Sequence, residues 1–267
     1  MRATSHQPKY PVHTVEKALE IIEFLKDSPG DGLGISSLSE KLGIGKSTVH
    51  RILDTLLAYG FVEKGSGNSK YRLSWKLFEI GSTIPRQRNL DSFDTKVLRD
   101  LCDRYNETVN LAIRVRDKAV IISKFDPLNV SVKANLFVGE HDPLHATALG
   151  KVLICEMDRE EIGKIINGEE LERFTNNTIA SLDELTIRLE KVKEDGYALD
   201  EEEYSSGLSC LAMPVRNYDQ EIIAAISISG PTFRLQYSKM VDMMEGLRKA
   251  CEEFSQYLGG FQGTNKA

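Results

Sequence analysis

The sequence predicts a two-domain chain, an N-terminal winged helix-turn-helix (mostly α with a β-hairpin wing) followed by a larger α+β domain built on an antiparallel sheet. Three observations lead there. Residues 15–60 hold three stretches of helical apolar period separated by short turns, and residues 61–73 alternate as two strands around a Gly/Ser/Asn tip. Beyond residue 90, helical and alternating stretches are mixed, with no internal repeat. The charge is also divided: the 267 residues carry a net charge of −6, yet residues 1–89 hold 13 Lys/Arg against 9 Asp/Glu and residues 90–267 hold 21 against 31. A basic head on an acidic body suits a nucleic-acid-facing module joined to something else.

In the head, Val15, Ala18, Leu19, Ile22 and Leu25 fall on one helical face, and Ser28-Pro29-Gly30-Asp31-Gly32 ends that helix. A short second helix is expected from Ser36 or Ser37, where Ser37 and Glu40 have capping-box spacing, to Leu42-Gly43. After Gly43-Ile44-Gly45 a third helix runs from Lys46 to Tyr59, burying Val49, Ile52, Leu53, Leu56 and Leu57 and stopping at Gly60. Phe61–Lys64 and Lys70–Leu73 form the wing, and a helix from Trp75 to about Ile84, broken by Pro85, makes the connection. The resulting division is residues 10–73 for the winged head (motif about 36–57), 74–90 for a linker helix and 91–260 for the second domain.

In that domain the pattern gives a helix near Asp91–Tyr105, a strand pair Thr108–Arg116 and Ala119–Phe125, and a strand Val130–Phe137. Helices are expected at Thr147–Met157, Asp158–Ile166 and Ser181–Asp195, strands at Ser209–Arg216 and Ile222–Ser229, and a last helix at Ser238–Leu258. With 41% hydrophobic and 28% charged residues the chain is neither disordered nor a fibre. Its four cysteines, at 102, 155, 210 and 251, lack the close pairs of a zinc or redox site. The N-terminus has no signal-like apolar run, and no stretch is long enough to span a bilayer, so the expectation is a soluble, cytoplasmic protein with reduced thiols and no membrane partner.

The third helix is the one that enters a major groove in this motif. Ser47, Thr48 and His50 bring short or planar hydrogen-bonding groups to its first turns, and Arg51 suits a phosphate or the edge of a guanine. Lys46 stands at the helix N-terminus, where a phosphate also meets backbone N–H groups. Lys64, Lys70 and Arg72 surround the wing tip.

The run Gly45-Lys46-Ser47-Thr48-Val49-His50-Arg51-Ile52-Leu53-Asp54-Thr55-Leu56, with Gly60-Phe61-Val62 and Tyr71-Arg72-Leu73, resembles the DNA-binding domain of the IclR family of bacterial transcription regulators. Further blocks resemble that family's second domain: Pro143–Lys151, the signature pair Gly196–Tyr204 and Gly207–Val215, and Ala225–Pro231. Two departures are local: Gly45 stands where a proline is common, and Asp219-Gln220-Glu221 lacks the usual turn glycine. The resemblance implies a GAF-like effector domain, a palindromic operator, a homodimer or homotetramer, a small organic acid as effector, no cofactor and no enzymatic activity. It also implies repression as the usual sign, with the effector altering the placement of the heads through the linker. Carried over residue by residue, the effector pocket is Ala148, Leu149, Asp200, Cys210, Ser227 and Ser229.

The residues suit such a ligand. Ser227 and Ser229 alternate, so both hydroxyls share one face of a strand while Ile226 and Ile228 take the other. Thr147–Gly150 at a helix start offers N–H groups, and Asp200 can accept a bond from a hydroxyl of the ligand. The remainder of the acidic run Asp200–Glu203 reads as a solvated loop or helix start. Other chemistries lack parts: the position five before Gly150 is His145, which excludes a phosphate-binding loop, and Pro143 between His141 and His145 spoils a helical metal pair. The competing class is an enzyme or small-molecule binder whose N-terminal domain serves only assembly. Salt-dependent DNA affinity separates the two.

Overall fold

The computed structural model describes residues 8–28, 30–65, 69–87, 95–128, 130–166 and 170–257. The chain divides into two compact units, Met1–Asp91 and Ser92–Ala267.

In the first unit α1 (His13–Lys26), β1 (Leu33–Gly34), α2 (Ile35–Leu42) and α3 (Lys46–Ala58) lead into β2 (Val62–Lys64), β3 (Lys70–Leu73) and α4 (Trp75–Gln87). Leu38 and Leu42 of α2 and Val49, Ile52 and Leu53 of α3 close one core with Val62 and Tyr71 of the wing, joined from α1 by Ile21 and Leu25. The stripe expected on α1 holds only in part: Val15 and Leu19 are exposed, and Ile21, which lies outside it, is fully buried. Leu56 and Leu57 are only half-buried. Gly43 ends α2 in a left-handed turn at φ 64°, which sets the direction of α3.

Three further local expectations fail here. The capping box does not form, because α2 starts earlier, with Gly34 as an N-cap that makes no side-chain bond. Gly34 instead belongs to β1, which pairs with β3 and turns the two-stranded wing into a three-stranded sheet of order β1-β3-β2. The helix after the wing also continues past Pro85 to Gln87 rather than ending at Ile84. The wing tip, residues 66–68, and residues 88–94 lie outside the described residues. Where the expected proline is replaced, Gly45 has φ −63° and ψ 145°, close to the φ a proline ring imposes, so the turn keeps its shape. Gly45→Pro should therefore stabilise the fold by about 0.4–1 kcal/mol through the unfolded chain, read as a higher Tm.

The second unit contains α5 (Thr95–Tyr105), β4 (Thr108–Val115), β5 (Lys118–Phe125), β6 (His141–Pro143), α6 (Ala148–Ile154), α7 (Arg159–Ile166), α8 (Leu182–Asp195), β7 (Ala198–Glu201), β8 (Leu208–Arg216), β9 (Ile222–Pro231) and α9 (Tyr237–Tyr257). The strands form one antiparallel six-stranded sheet of order β6-β5-β4-β9-β8-β7. Parity decides its two faces. Ala112, Cys210, Ala212 and Ala225 join the core that α6 and α8 cover with Leu149, Val152, Leu153, Leu185 and Leu189. The opposite parity, including Leu211, Met213, Ile226 and Ile228, faces the side of α9.

The expected strand Val130–Phe137 is absent from the described residues of that stretch, and β6 and β7 were not anticipated. Residues 133–137 do alternate, with Ala134 and Leu136 buried against Ile121 while their neighbours are exposed. Period-two burial reports an extended segment lying on a core; only a free sheet edge makes it a strand. That edge of β5 is taken by the three residues of β6. Between β8 and β9 the missing turn glycine has a visible cost: Gln220 adopts φ 65°, a conformation that favours glycine.

Gly150 is required by packing. A Cβ there would lie 2.5 Å from the Cα and carbonyl oxygen of Leu144, so α6 can sit this close to the chain leaving β6 only with glycine at the contact. Gly150→Ala should cost about 1–3 kcal/mol, as in overpacked cores, measured by urea unfolding.

Candidate functional sites

The first unit presents Lys46, Ser47, Thr48, His50 and Arg51 together on the exposed side of α3, opposite the buried Val49, Ile52 and Leu53. None of them forms an ion pair among the described residues. No side chain caps α3. The wing cations are placed differently. Lys70 forms an ion pair with Asp31, Arg72 Nε donates to Glu63 Oε1 at 2.7 Å, and the Lys64 ammonium lies 5.4 Å from the centre of the Tyr71 ring. Lys70 holds the Asp31 carboxyl below its usual range. Exposed pairs of this kind are worth little, so a phosphate competes with them easily.

In the second unit a small cavity of about 10 Å³ lies between the sheet and the start of α6, lined by Leu136, Asp142, Thr147, Ala148, Leu149, Asp200, Tyr204, Leu208, Cys210, Ser227 and Ser229. All six residues expected from the sequence are among them. Strand register explains the convergence: Asp200 pairs with Cys210, and Cys210 with Ser229, so three adjacent strands bring their side chains to one row on one face. One register step away Asn110 pairs with Ser227. The Asn110 amide donates to both serine hydroxyls at 3.2 Å, and those hydroxyls are 3.3 Å apart.

At the other wall, Thr147 Oγ1 caps α6 by accepting from the Gly150 N–H at 3.0 Å and itself donates to the Pro143 carbonyl at 2.9 Å. That consumes one of the N–H groups expected to face a ligand. Asp200 is 1% exposed and accepts from the Glu203 N–H at 2.8 Å; burial still pushes its carboxyl up to about 7. Burial raises Asp142 to about 7 as well, with Glu140 adding to the effect, and it drives the Cys210 thiol well above its ordinary value. The thiol is therefore a neutral, soft wall and no nucleophile at physiological pH.

Several parts of this site escaped the sequence reading. Asp142 is not among the residues expected from the sequence. Lys151, buried completely, pairs with Glu203, whose Oε2 has no hydrogen-bond partner, so the acidic run contributes two buried carboxylates instead of one. The signal was present: α6 is buried on every side, and a lysine in such a helix demands a counter-ion. Asn110 was legible too, since it shares parity with Thr108 in a strand whose other parity is apolar. A tilted His145–Phe174 pair (5.7 Å) and an edge-on Phe174–Tyr204 pair (5.1 Å) back the wall that Tyr204 forms.

Raised carboxyls make the unit pH-sensitive in a defined sense. A group whose folded value is about 7, against an ordinary 3.8, stabilises the fold below about pH 4 relative to higher pH, and that contribution is lost as pH rises toward 7. Asp142→Asn should accordingly raise Tm at pH 8 and leave it nearly unchanged at pH 4, by differential scanning calorimetry.

A three-helix head with a wing, joined to an α+β unit with a small cavity that Asp142, Asp200, Ser227 and Ser229 help to line, defines a ligand-responsive DNA-binding regulator. The chain belongs to the IclR family: the model of the IclR helix-turn-helix domain matches residues 14–66 and that of the bacterial transcriptional regulator IclR C-terminal domain matches residues 85–256. It is 34% identical to the HTH-type transcriptional regulator XynR of Escherichia coli over 248 residues, covering 93% of this chain and 98% of that one. It is 32% identical to the HTH-type transcriptional repressor AllR of Salmonella typhi, covering 92% and 89%. The crystal structure of the Thermotoga maritima IclR matches with TM-score 0.73 at 30% identity, over 92% of this chain and 99% of that one. An IclR homologue from Microbacterium hydrocarbonoxydans, complexed with 4-hydroxybenzoate, shares the fold with TM-score 0.76 at 22% identity, over 92% and 97%. The protein is thus an IclR-type DNA-binding transcription regulator with an effector-binding C-terminal domain, in a family of regulators and not of enzymes. No helix among the described residues is long and apolar enough to cross a membrane.

Proposed function

We propose that the protein represses transcription in the cytoplasm by binding a palindromic operator as a homodimer or homotetramer, and that a small organic acid bound in the C-terminal unit relieves repression. The observation that carries the effector half is the convergence of Ala148, Leu149, Asp200, Cys210, Ser227 and Ser229 on one small cavity. Serine hydroxyls orient a carboxylate, and Ala148, Leu149 and Leu136 enclose its apolar part. The aromatic acid held by the Microbacterium homologue supports that ligand class, and the repressor function of AllR supports the sign.

For DNA, Ser47, Thr48, His50 and Arg51 read the major groove, Lys46 holds a phosphate at the uncapped start of α3, and Lys70 and Arg72 follow the backbone from the wing. A head that binds one half-site needs a second copy for a palindrome, which is the argument for an oligomer.

The test is a titration of DNA from upstream of the protein's own coding sequence, together with random duplexes for selection, at several salt concentrations and with excess competitor. Saturable, competitor-resistant binding that weakens steeply with salt is the expected result. An absence of any selected sequence overturns the proposed DNA contacts.

A further inference from the structure

We infer that Asp142 is a further ligand-contact residue of the effector cavity, and that it engages the bound acid as a neutral carboxyl donating its proton to the effector's carboxylate, so that binding takes up one proton. This rests on the reading of the cavity as an organic-acid site.

The cavity has an unusual charge inventory for a site that takes an anion. Its lining contains two carboxylates, Asp142 and Asp200, and no lysine or arginine. The nearest buried cation, Lys151, is completely enclosed and already paired with Glu203. An ionised effector placed between two ionised carboxylates in this enclosure would be expelled, because like charges in a desolvated site are not screened. One carboxylate must therefore carry a proton when the acid is bound.

Geometry selects which. Asp200 Oδ1 already accepts from the Glu203 N–H, and the Tyr204 N–H also favours its ionised form, so protonating it disturbs satisfied acceptors. Asp142 stands on the edge strand β6, is 2% exposed, and its Oδ1 is enclosed without any hydrogen-bond partner among the described residues. Such an orphaned oxygen is costly unless something fills the place in front of it. The surrounding groups reinforce the choice. Glu140 precedes β6, Asp200 faces the cavity from β7, Tyr204 from the segment after it and Cys210 from β8, and none of these is a cation. Lys118 on the neighbouring strand is 40% exposed beside Asp117, and the His145 ring is held against the Glu172 carbonyl, with burial lowering its basicity. The carboxyl of Asp142, raised to about 7, is poised to take a proton near neutrality. A protonated carboxyl facing a carboxylate forms one short, charge-assisted hydrogen bond, which a cation would otherwise supply.

Calorimetric titration of the full chain with benzoate, 4-hydroxybenzoate, lactate and gluconate, at pH 6, 7 and 8 and in two buffers of different ionisation enthalpy, tests the proposal. For whichever acid binds, affinity should fall about fivefold between pH 7 and pH 8, and the buffer comparison should return about half a proton taken up at pH 7, rising toward one at pH 8. Asp142→Asn keeps a donor while removing the titration, so it should bind at pH 8 within about threefold of its own affinity at pH 6. Asp200→Asn should weaken binding yet retain the wild-type slope. Circular dichroism establishes that each variant is folded. An affinity independent of pH or rising with it, or an Asp142→Asn slope equal to that of the wild type, overturns the inference while leaving the acid site standing. If none of the four acids binds the wild-type chain at any pH, the acid-site reading falls and the inference with it.

Discussion

Lys151→Met should lower the unfolding free energy by about 3–5 kcal/mol at pH 8, the range found when one partner of a buried ion pair is removed. The lysine is wholly enclosed in α6, and its partner Glu203 is 5% exposed, so the variant leaves a carboxylate in the interior without a counter-ion. The loss extends beyond the pair. Glu203 also ties its own segment to the loop at Thr175–Thr178: its N–H donates to Asp200 Oδ1, and its carbonyl accepts from Thr178 at 2.6 Å and from Thr175 at 3.2 Å. Burial already raises the Glu203 carboxyl, against the opposing pull of Lys151. Without the lysine that opposition disappears, the folded value rises further above the unfolded one, and stability is lost as pH climbs through it. The deficit should therefore be smaller at pH 5 than at pH 8. Adding Glu203→Gln to Lys151→Met should recover part of the loss, and urea unfolding of the four proteins at both pH values gives the coupling directly. A deficit below about 1 kcal/mol at pH 8 would mean that water reaches the pair.

The second large effect is on DNA. Arg51→Ala should cost about 1–3 kcal/mol of operator affinity if the guanidinium reads a base, a loss of roughly fivefold to 150-fold. Arg51 is exposed on α3 and its removal leaves no cavity, so thermal stability should stay within about 0.5 kcal/mol of wild type. Lys46→Ala provides the contrast: as a phosphate contact it should weaken binding to every sequence alike and reduce the salt slope by about one. Operator titrations of both variants against specific and random duplexes separate the two roles. Equal losses on specific and random DNA for Arg51→Ala would reassign that residue to the phosphate backbone.

Much of this architecture was legible because local signals agreed with each other. The stripe Val49, Ile52, Leu53 and the stop at Gly60 place α3, and the parity of Ser227 and Ser229 against Ile226 and Ile228 places both hydroxyls on the cavity face of β9. What the sequence concealed depended on partners far along the chain. β1 and β6 are too short to show a period and exist because β3 and β5 offer edges. Residues 133–137 have the alternation of a strand but no strand partner among the described residues. Glu203 looked solvated within its acidic run because the lysine that buries it is 52 residues away. Asp142 carries no local signal at all; its significance lies in the row of side chains that β7, β8 and β9 bring opposite it.

An acid held in the C-terminal cavity is expected to control DNA binding by the N-terminal head. The direct measurement is an operator titration with and without the acid that binds, using the wild type, Ser229→Ala and Asp200→Ala. All three proteins should bind the operator equally without acid, and saturating acid should release only the wild type, with the two variants needing at least tenfold more. Release of the variants at the wild-type acid concentration would contradict the claim, placing the controlling site elsewhere in the molecule.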